Sequence, residues 1–243
     1  MDTTKIKLIS FDLWETLIFD SKNHNQRNKL RINNLRLLFD KYGQNISDEK
    51  ILESLSFISK NCSQDHNSGF DKKTDIRIKE LLNFLDIKKD NELFEKEILN
   101  ALDSSFLKYP PSIFPTAIKI LNSLKNRYSL CLTSNTGITS PNIYRKYLNE
   151  VGIFDKFDKL YLSNELLVSK PSFSIFKIIL DDFKLKPDEI VHIGDNLFTD
   201  IFGAKKCGFG TVFINKRNSV NNNLKIYPDY TVKDISKIPD LFL

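Results

Sequence analysis

Residues Lys5–Thr16 read Lys-Ile-Lys-Leu-Ile-Ser-Phe-Asp-Leu-Trp-Glu-Thr, in which the apolar run Ile6–Phe11 ends on Asp12. A short apolar run of this kind predicts a buried β-strand. A carboxylate at the end of a buried strand loses hydration, so we expect an interaction there that compensates for the loss. In an open α/β sheet, ligands bind at the carboxyl ends of the strands. Asp12 is therefore the first candidate for a functional residue.

Similar short runs recur along the chain. Five of them are further predicted strands: Tyr128–Thr133, Lys159–Leu162, Ile190–Ile193, Thr211–Ile214 and Tyr230–Val232. Amphipathic stretches that are predicted helices separate them: Ile113–Lys125, Pro141–Val151, Phe173–Phe183 and Asp200–Cys207. Strands that alternate with helices form βαβ units, so the predicted fold is α/β with a doubly wound, Rossmann-like parallel sheet. The short loops after the strands then gather at one edge of that sheet.

The segment between the first and second strands departs from this alternation. It contains no predicted strand, and Leu, Ile and Phe recur at helical spacing in four stretches: Arg27–Tyr42, Ser47–Lys60, Lys73–Leu85 and Asn91–Leu107. The acids of Ser47-Asp48-Glu49 favour a helix start. The polar stretch Asn61–Gly69 predicts a mobile loop between two of these helices.

These patterns predict two structural units. An all-helical cap domain is expected over residues 19–109, inserted into an α/β core made of residues 1–18 and 110–243. The two connections are expected near Ile18–Lys22 and Lys108–Ser112, the second marked by the Pro110-Pro111 pair.

Composition excludes several functional classes. The chain has 243 residues, is 41% hydrophobic and carries a net charge of +5 spread along its length, whereas nucleic-acid binders concentrate basic charge. The three cysteines are far apart and follow no metal-ligand or disulfide spacing; Cys131 and Cys207 lie in apolar segments and are expected to be buried free thiols. No signal region is evident, and no run approaches the ~20 apolar residues of a membrane span. We expect a cytoplasmic protein without nucleic-acid or membrane partners.

Four segments, in order, carry a resemblance to a known superfamily. They are Phe11-Asp-Leu-Trp-Glu-Thr-Leu17, Leu130-Cys-Leu-Thr-Ser-Asn-Thr-Gly137, Ser169-Lys-Pro171 and Ile193-Gly-Asp-Asn-Leu-Phe-Thr-Asp200. Each segment alone is a weak signal, but together they resemble the motifs of the haloacid dehalogenase superfamily. The resemblance implies a hydrolase that binds a small, phosphorylated substrate.

The resemblance also implies roles for individual residues. Asp12 would be the nucleophile that forms an acyl phosphate, which divides one difficult displacement into two easier ones. Ser134, together with the amide of Asn135 that follows it, would hold a phosphoryl oxygen. Lys170 would pair with both the phosphate and the nucleophile.

A divalent cation, most plausibly Mg²⁺, is the implied cofactor. Its ligands would be Asp12, Asp195 and the backbone carbonyl of Trp14, with Asp200 close by. Charge accounting supports this, since each like-charge contact near 4 Å costs about 4 kcal/mol at an effective dielectric near 20. Three carboxylates facing Lys170 leave a surplus of negative charge that matches a 2+ ion.

Trp14 departs from the family pattern, because the phosphatases carry a second Asp at this position. That Asp protonates the leaving alcohol, and such help is typically worth 10²–10⁴-fold in rate. Its loss leaves several interpretations open. The enzyme acts on substrates whose leaving group needs no proton, or a cap residue or Glu15 replaces the acid, or the protein is a catalytically weakened binding or regulatory member. Haloacid dehalogenation and phosphonate hydrolysis are further alternatives, since both branches also lack the second Asp.

The three histidines are assigned structural positions rather than ligand roles. His192 falls inside a predicted strand and is expected in the core. His24 and His66 lie in the predicted cap and are expected on the surface.

Overall fold

The computed structural model describes residues 1–21, 23–88, 91–216 and 225–243. In chain order the strands are β1 (Leu8–Phe11), β2 (Ile18–Phe19), β3 (Ser112–Ile113), β4 (Ser129–Ser134), β5 (Lys159–Leu162), β6 (Ile190–Gly194), β7 (Gly210–Ile214) and β8 (Tyr230–Val232). All six strands predicted from the sequence are present. The pair β2 and β3 was not predicted, because two-residue strands leave no periodic signal.

Six of these strands form one parallel sheet in the spatial order β5-β4-β1-β6-β7-β8. Numbered by their sequence within the sheet, this order is 3-2-1-4-5-6, the doubly wound arrangement that was predicted. From β1 the strands are added toward one edge of the sheet, as β4 and β5, and then toward the other edge, as β6, β7 and β8. The carboxyl ends of β1 and β6 are therefore the topological switch point. A crevice for a ligand is expected at that point.

Helices cover both faces of the sheet. They are α5 (Ala117–Lys125), α6 (Pro141–Glu150), α7 (Ser163–Leu166), α8 (Phe173–Phe183), α9 (Gly203–Lys206) and α10 (Pro239–Phe242). On β1, Ile9 and Phe11 pack in one apolar cluster with α5, α6 and α10, whereas Leu8 packs in another with α8 and α9. Because side chains of a strand alternate between the two faces, this division places the two groups of helices on opposite faces.

Two core helices differ from their predicted bounds. α5 begins at Ala117 rather than Ile113, because Pro115 restricts the residue before it to extended backbone. The helix predicted over Asp200–Cys207 begins earlier, as a π-helical turn over Leu197–Phe202, and continues as α9. The side chain of Asn196 accepts hydrogen bonds from the N–H groups of Phe198 and Thr199, which starts the helical turn early.

The segment between β2 and β3 forms four helices: α1 (Asn23–Lys41), α2 (Asp48–Asn67), α3 (Thr74–Phe84) and α4 (Glu92–Lys108), here called the helical insert. The insert has its own apolar cluster, which includes Leu35, Ile58 and Phe94. The predicted helix start at Ser47 is confirmed, since its side chain accepts from the N–H of Lys50.

The loop predicted over Asn61–Gly69 is wrong, because α2 continues to Asn67. Cys62 is buried against the apolar cluster of the insert, while Ser63 and Gln64 occupy the exposed face of the same helix. The polar residues that predicted a loop are therefore the solvent side of an amphipathic helix. The helix ends just before Gly69, whose φ of +85° few other residues adopt readily.

The two connections of the insert meet in an antiparallel ribbon. Ile18 of β2 pairs with Ile113 of β3, and Phe19 pairs with Ser112. Both predicted connections lie at this ribbon, except that Lys22 is outside the described residues. The ribbon brings the entry and exit of the insert together beside the carboxyl end of β1.

Two further expectations concern the cysteines and membrane spans. Cys62, Cys131 and Cys207 are free and buried, which confirms the prediction for the latter two. None of the described helices combines the length and apolar character needed to cross a membrane.

Candidate active site

The nucleophile candidate lies at the switch point. β1 is paired on one side with β4 and on the other with β6, and Phe11 is in register with Leu132 and Ile193. The N–H of Asp12 donates to the carbonyl of Ile193 at 2.9 Å, which extends the ladder by one residue. Asp12 is only 6% exposed. The sheet therefore fixes its backbone and buries its carboxylate at the edge where ligands are expected.

Gly194 allows Asp200 to approach the end of β6. A Cβ at residue 194 would lie 2.4 Å from the Cγ and Oδ2 of Asp200, far closer than van der Waals contact. Asp200 Oδ2 also accepts a hydrogen bond of 2.9 Å from the N–H of Asn196. The glycine and the turn after it thus hold this carboxylate against the backbone.

Gly194→Ala is expected to destabilise the protein by about 1–3 kcal/mol, because the new methyl group overlaps a fully buried carboxylate. Chemical denaturation measures this loss. Gly137→Ala is the control, since its Cβ would meet nothing closer than Cys62 Sγ at 3.9 Å and its φ is not positive. Equal stability of the two variants would contradict the close approach of Asp200.

Lys170 joins two of the carboxylates. Its Nζ is 2.6 Å from Asp12 Oδ1 and 2.6 Å from Asp200 Oδ1, and the lysine is 1% exposed. Its backbone is fixed by Asn135, whose side-chain amide donates to the Lys170 carbonyl at 2.8 Å and whose Oδ1 accepts from the Lys170 N–H at 2.9 Å. Lys170 lies 158 positions from Asp12 and 35 from Asn135 along the chain, so the fold brings distant residues into one cluster.

A chain of buried hydrogen bonds runs across the sheet from Thr133 of β4 to Asp200. Thr133 Oγ1 lies 2.8 Å from Ser10 Oγ, Ser10 Oγ lies 2.9 Å from His192 Nδ1, and His192 Nε2 lies 3.3 Å from Asp200 Oδ1. Burial lowers the pKa of His192, so the ring is neutral at pH 7. The predicted core position of His192 is confirmed, and its side chain also reaches the carboxylate cluster.

Three carboxylates lie beside Lys170. One oxygen each from Asp12, Asp195 and Asp200 lies within 4.8 Å of the others. Burial, only partly offset by Lys170, raises the pKa of Asp12 to about 6. Burial, together with Asp12 and Asp200, raises the pKa of Asp195 to about 8. Burial would also raise the pKa of Asp200, but Lys170 and His192 outweigh it and hold that pKa well below its usual range.

The cluster has the donor set of a hard divalent cation. Within the described part of the chain, the Asp195 carboxylate makes no hydrogen bond or ion pair, although it is partly buried. Oxygen ligands gathered at this spacing suit Mg²⁺ or Ca²⁺, and a cation offsets both the burial and the mutual repulsion that raise the pKa values of Asp12 and Asp195. Asp12, Asp195 and Asp200 are therefore the residues that could hold a metal.

The predicted phosphate-binding residues lie at the adjacent strand end. Ser134 is the last residue of β4, is buried, and donates from Oγ to the Asn135 carbonyl at 3.3 Å. The side chain of Asn135 is hydrogen-bonded to the backbone of Lys170. The group of Asn135 that could still contact a substrate, as predicted, is therefore its backbone N–H.

Trp14 lies where α4 of the helical insert meets α6 of the core. Its indole N–H donates to the hydroxyl of Tyr144 at 3.3 Å, and its ring meets Phe106 edge-on with centroids 6.5 Å apart. Glu15, at a φ of +55°, pairs with Lys216 at 3.3 Å. The nearest acid in sequence is thus occupied by an ion pair, and the indole cannot act as an acid.

A cavity of about 630 Å³ lies between the insert and the core. Of the predicted site residues, Trp14 alone is among its described lining residues. Arg27 and Arg31 of α1 also line it, and sequence reasoning did not single them out. Their spacing of four residues, which places them on one face of a helix, was the available signal.

The insert also contacts the segment that precedes Lys170. Asp71 accepts hydrogen bonds from Ser163 Oγ at 2.6 Å and Arg77 Nη2 at 2.8 Å, and His66 Nε2 lies 2.9 Å away. The His66 side chain is only 14% exposed, so its predicted surface position is wrong, whereas that of His24 is confirmed at 50%. His66 is partly buried because Asp71 offers it a partner at the contact with the core.

Comparisons with known proteins agree with this geometry. A family model described as haloacid dehalogenase-like hydrolase matches residues 6–208. Glyceraldehyde 3-phosphate phosphatase of Pyrococcus furiosus is 28% identical, with 96% of this chain and 92% of that protein covered. N-acylneuraminate-9-phosphatase of Mus musculus is 27% identical, with 99% and 95% covered.

A solved structure extends the similarity to the fold. The 2-haloacid dehalogenase of Pseudomonas syringae superimposes with a TM-score of 0.71 at 20% identity, covering 97% of each chain. The family match spans all four motif segments that precede residue 208. The chain belongs to the haloacid dehalogenase-like hydrolases.

Proposed function

We propose that the protein is a Mg²⁺-dependent phosphatase of small phosphorylated metabolites, with Asp12 as the nucleophile. The observation that carries this proposal is the cluster at the switch point, where Lys170 bridges Asp12 and Asp200 at 2.6 Å each. Beside them lies Asp195, whose carboxylate has no partner among the described residues. The phosphatase names of two relatives that match almost the whole chain support the substrate class.

The proposed reaction begins with attack by an Asp12 carboxylate oxygen on phosphorus. The bond from phosphorus to the leaving oxygen breaks, and an acyl phosphate on Asp12 remains. Water then attacks the phosphorus of the acyl phosphate, the bond from phosphorus to the Asp12 oxygen breaks, and inorganic phosphate leaves as the carboxylate is restored. Ser134, the N–H of Asn135 and Lys170 would hold the phosphoryl oxygens as charge develops on them.

The metal would be held by Asp12, Asp195, Asp200 and the backbone carbonyl of Trp14. When bound, Mg²⁺ supplies positive charge to the phosphoryl group and favours the ionised form of the nucleophile. A backbone ligand does not depend on the side chain, so the replacement of Asp by Trp14 leaves this part of the site intact.

The helical insert would act as the cap, with the domain boundaries at residues 19–109 and the core at 1–18 and 110–243. The ribbon between β2 and β3 supports these boundaries, because both connections cross there. A cap beside the switch point would exclude water and select substrates.

Trp14 limits the proposed chemistry to leaving groups that need little protonation. Its N–H is bonded to Tyr144, and Glu15 is paired with Lys216, so neither supplies a proton. The leaving groups of acyl phosphates, phosphoanhydrides and activated aryl esters depart without a proton. We therefore infer low activity on simple alkyl phosphates.

A substrate panel tests the proposal. Acetyl phosphate and nitrophenyl phosphate are expected to be hydrolysed with Mg²⁺ and not after chelation, and ethyl phosphate is expected to react far more slowly. Asp12→Asn is expected to lower turnover by about 10³-fold or more, since it removes the nucleophile. Asp181→Asn, an exposed acid paired with Lys177, is the matched control.

The other outcomes distinguish the alternatives. Halide release from a 2-haloacid without metal would show a dehalogenase instead. Tight binding of phosphate esters without turnover would show a binding or regulatory protein. Full activity of Asp12→Asn would exclude the assigned nucleophile.

A further inference from the structure

The cavity beside Trp14 has a cationic wall. Arg27 and Arg31 of α1 and Lys60 of α2 line it, whereas Asp20 is the one acid among its described lining residues. A surplus of positive charge on the wall of a small cavity favours an anionic ligand.

Asp20 does not neutralise the whole wall. It pairs with Arg27 and, at 2.8 Å, with His24. Arg27 also donates to the carbonyl of Tyr109 at 3.0 Å and lies over the ring of Phe106. Arg27 therefore has a structural explanation, because its charge and donors are used within the fold.

Arg31 has no such explanation. Within the described residues its side chain makes no hydrogen bond or ion pair, and its Nε atom is shielded from solvent with no partner. Burial, reinforced by the neighbouring Arg27, lowers the pKa of Arg31 to about 10, so the side chain is still charged at neutral pH. Arg31 is partly buried, and a partly buried cation without a partner is unfavourable in the free protein.

The other walls suit the organic part of a small molecule. Trp14, Phe106 and Tyr144 provide aromatic surface, and Leu55 and Ile58 of α2 provide aliphatic surface. Two lining residues connect the cavity to the site, since Trp14 lies two residues after Asp12 and Gly137 lies three residues after Ser134. Its volume of about 630 Å³ is that of a metabolite site.

We propose that Arg31 binds a carboxylate on the organic part of the substrate, so that the preferred substrates are phosphate esters of hydroxy acids. The inference rests on the proposed function, since it assumes that the phosphoryl group reacts at Asp12. A guanidinium fork matches a carboxylate in a bidentate pair, and the carboxylate would supply the partner that Arg31 lacks.

Binding of a matched pair of ligands tests the proposal. 3-Phosphoglycerate and glycerol 3-phosphate differ by a carboxylate in place of a hydroxymethyl group. With Mg²⁺ and the Asp12→Asn protein, which prevents turnover, calorimetry is expected to give about tenfold or more tighter binding of 3-phosphoglycerate. The measured quantity is the ratio of the dissociation constant of glycerol 3-phosphate to that of 3-phosphoglycerate. Arg31→Gln in the same background is expected to bring this ratio close to one, and Arg31→Lys is expected to retain part of the preference.

Two controls separate a ligand role from a structural role. Arg36→Gln removes another arginine of α1, which pairs with Asp40 and Asp48 outside the cavity, and is expected to leave the ratio unchanged. The melting temperature of Arg31→Gln is expected to equal or exceed that of the parent, because no partner is left unpaired. Arg27→Gln is expected to lower the melting temperature, because it leaves Asp20 without its arginine.

The outcomes distinguish this inference from the proposed function. A ratio near one in the parent, or a ratio that Arg31→Gln does not change, would overturn the carboxylate subsite even if nitrophenyl phosphate is hydrolysed. Tighter binding of glycerol 1,3-bisphosphate than of 3-phosphoglycerate would also overturn it. A tenfold ratio that depends on Arg31 would support the subsite, and absence of turnover on every ester would then count against the hydrolase mechanism alone.

Discussion

Trp14→Asp is expected to hydrolyse ethyl phosphate with a kcat/KM about 10²–10⁴-fold above that of Trp14→Asn. The two variants have nearly the same size and remove the same indole, so the loss of packing against Phe106 and Tyr144 is common to both. They differ in the ability to transfer a proton to the leaving oxygen. Steady-state kinetics with Mg²⁺ at pH 7 measures the ratio.

Nitrophenyl phosphate provides the internal control for this comparison. Its leaving group departs without a proton, so the two variants are expected to turn it over within a few-fold of each other. Both variants are expected to melt below the parent protein, since a large side chain is replaced by a small one. Equal rates of Trp14→Asp and Trp14→Asn on ethyl phosphate would show that an acid at position 14 is not what limits the reaction.

The sequence predicted the parts of the structure that depend on local pattern. Each buried parallel strand is a short apolar run, and Asp12 and Asp195 stand at strand ends, where the topology brings them together. A polar stretch such as Asn61–Gly69 was misread, because the exposed face of a helix and a loop share a composition. The packing of Cys62 in the apolar cluster of the insert shows that this stretch is a helix and not a loop.

Long-range contacts between side chains could not be predicted in this way. The engagement of Asn135 by the backbone of Lys170 and that of Trp14 by Tyr144 join residues 35 and 130 positions apart. The hydrophobic periodicity of the sequence does not reveal such pairs, because each pair depends on how separate elements pack. The same holds for Arg31, whose side chain has no partner in the described part of the chain, a fact that only its surroundings in the fold reveal.

Lys170→Met is expected to lower the free energy of unfolding by about 3–5 kcal/mol in the absence of metal, because it leaves buried carboxylates without their cation. Nζ contacts Asp12 and Asp200 at 2.6 Å each, and methionine keeps a similar length without the charge. Denaturant unfolding at pH 7.5 with a chelator measures the change. Lys177→Met is the matched control, since its exposed pair with Asp181 is worth at most about 1 kcal/mol.

Mg²⁺ is expected to restore part of the stability lost in Lys170→Met, because a divalent cation neutralises the same carboxylates. Turnover is not expected to return, since the lysine would also hold the phosphoryl group. The restoration should disappear in the double variant Lys170→Met/Asp195→Asn, which lacks the one carboxylate of the cluster that makes no ion pair within the described residues. Unchanged stability of Lys170→Met without metal would mean that Asp12 and Asp200 are already protonated in the folded protein. The charge surplus that argues for a metal would then be absent.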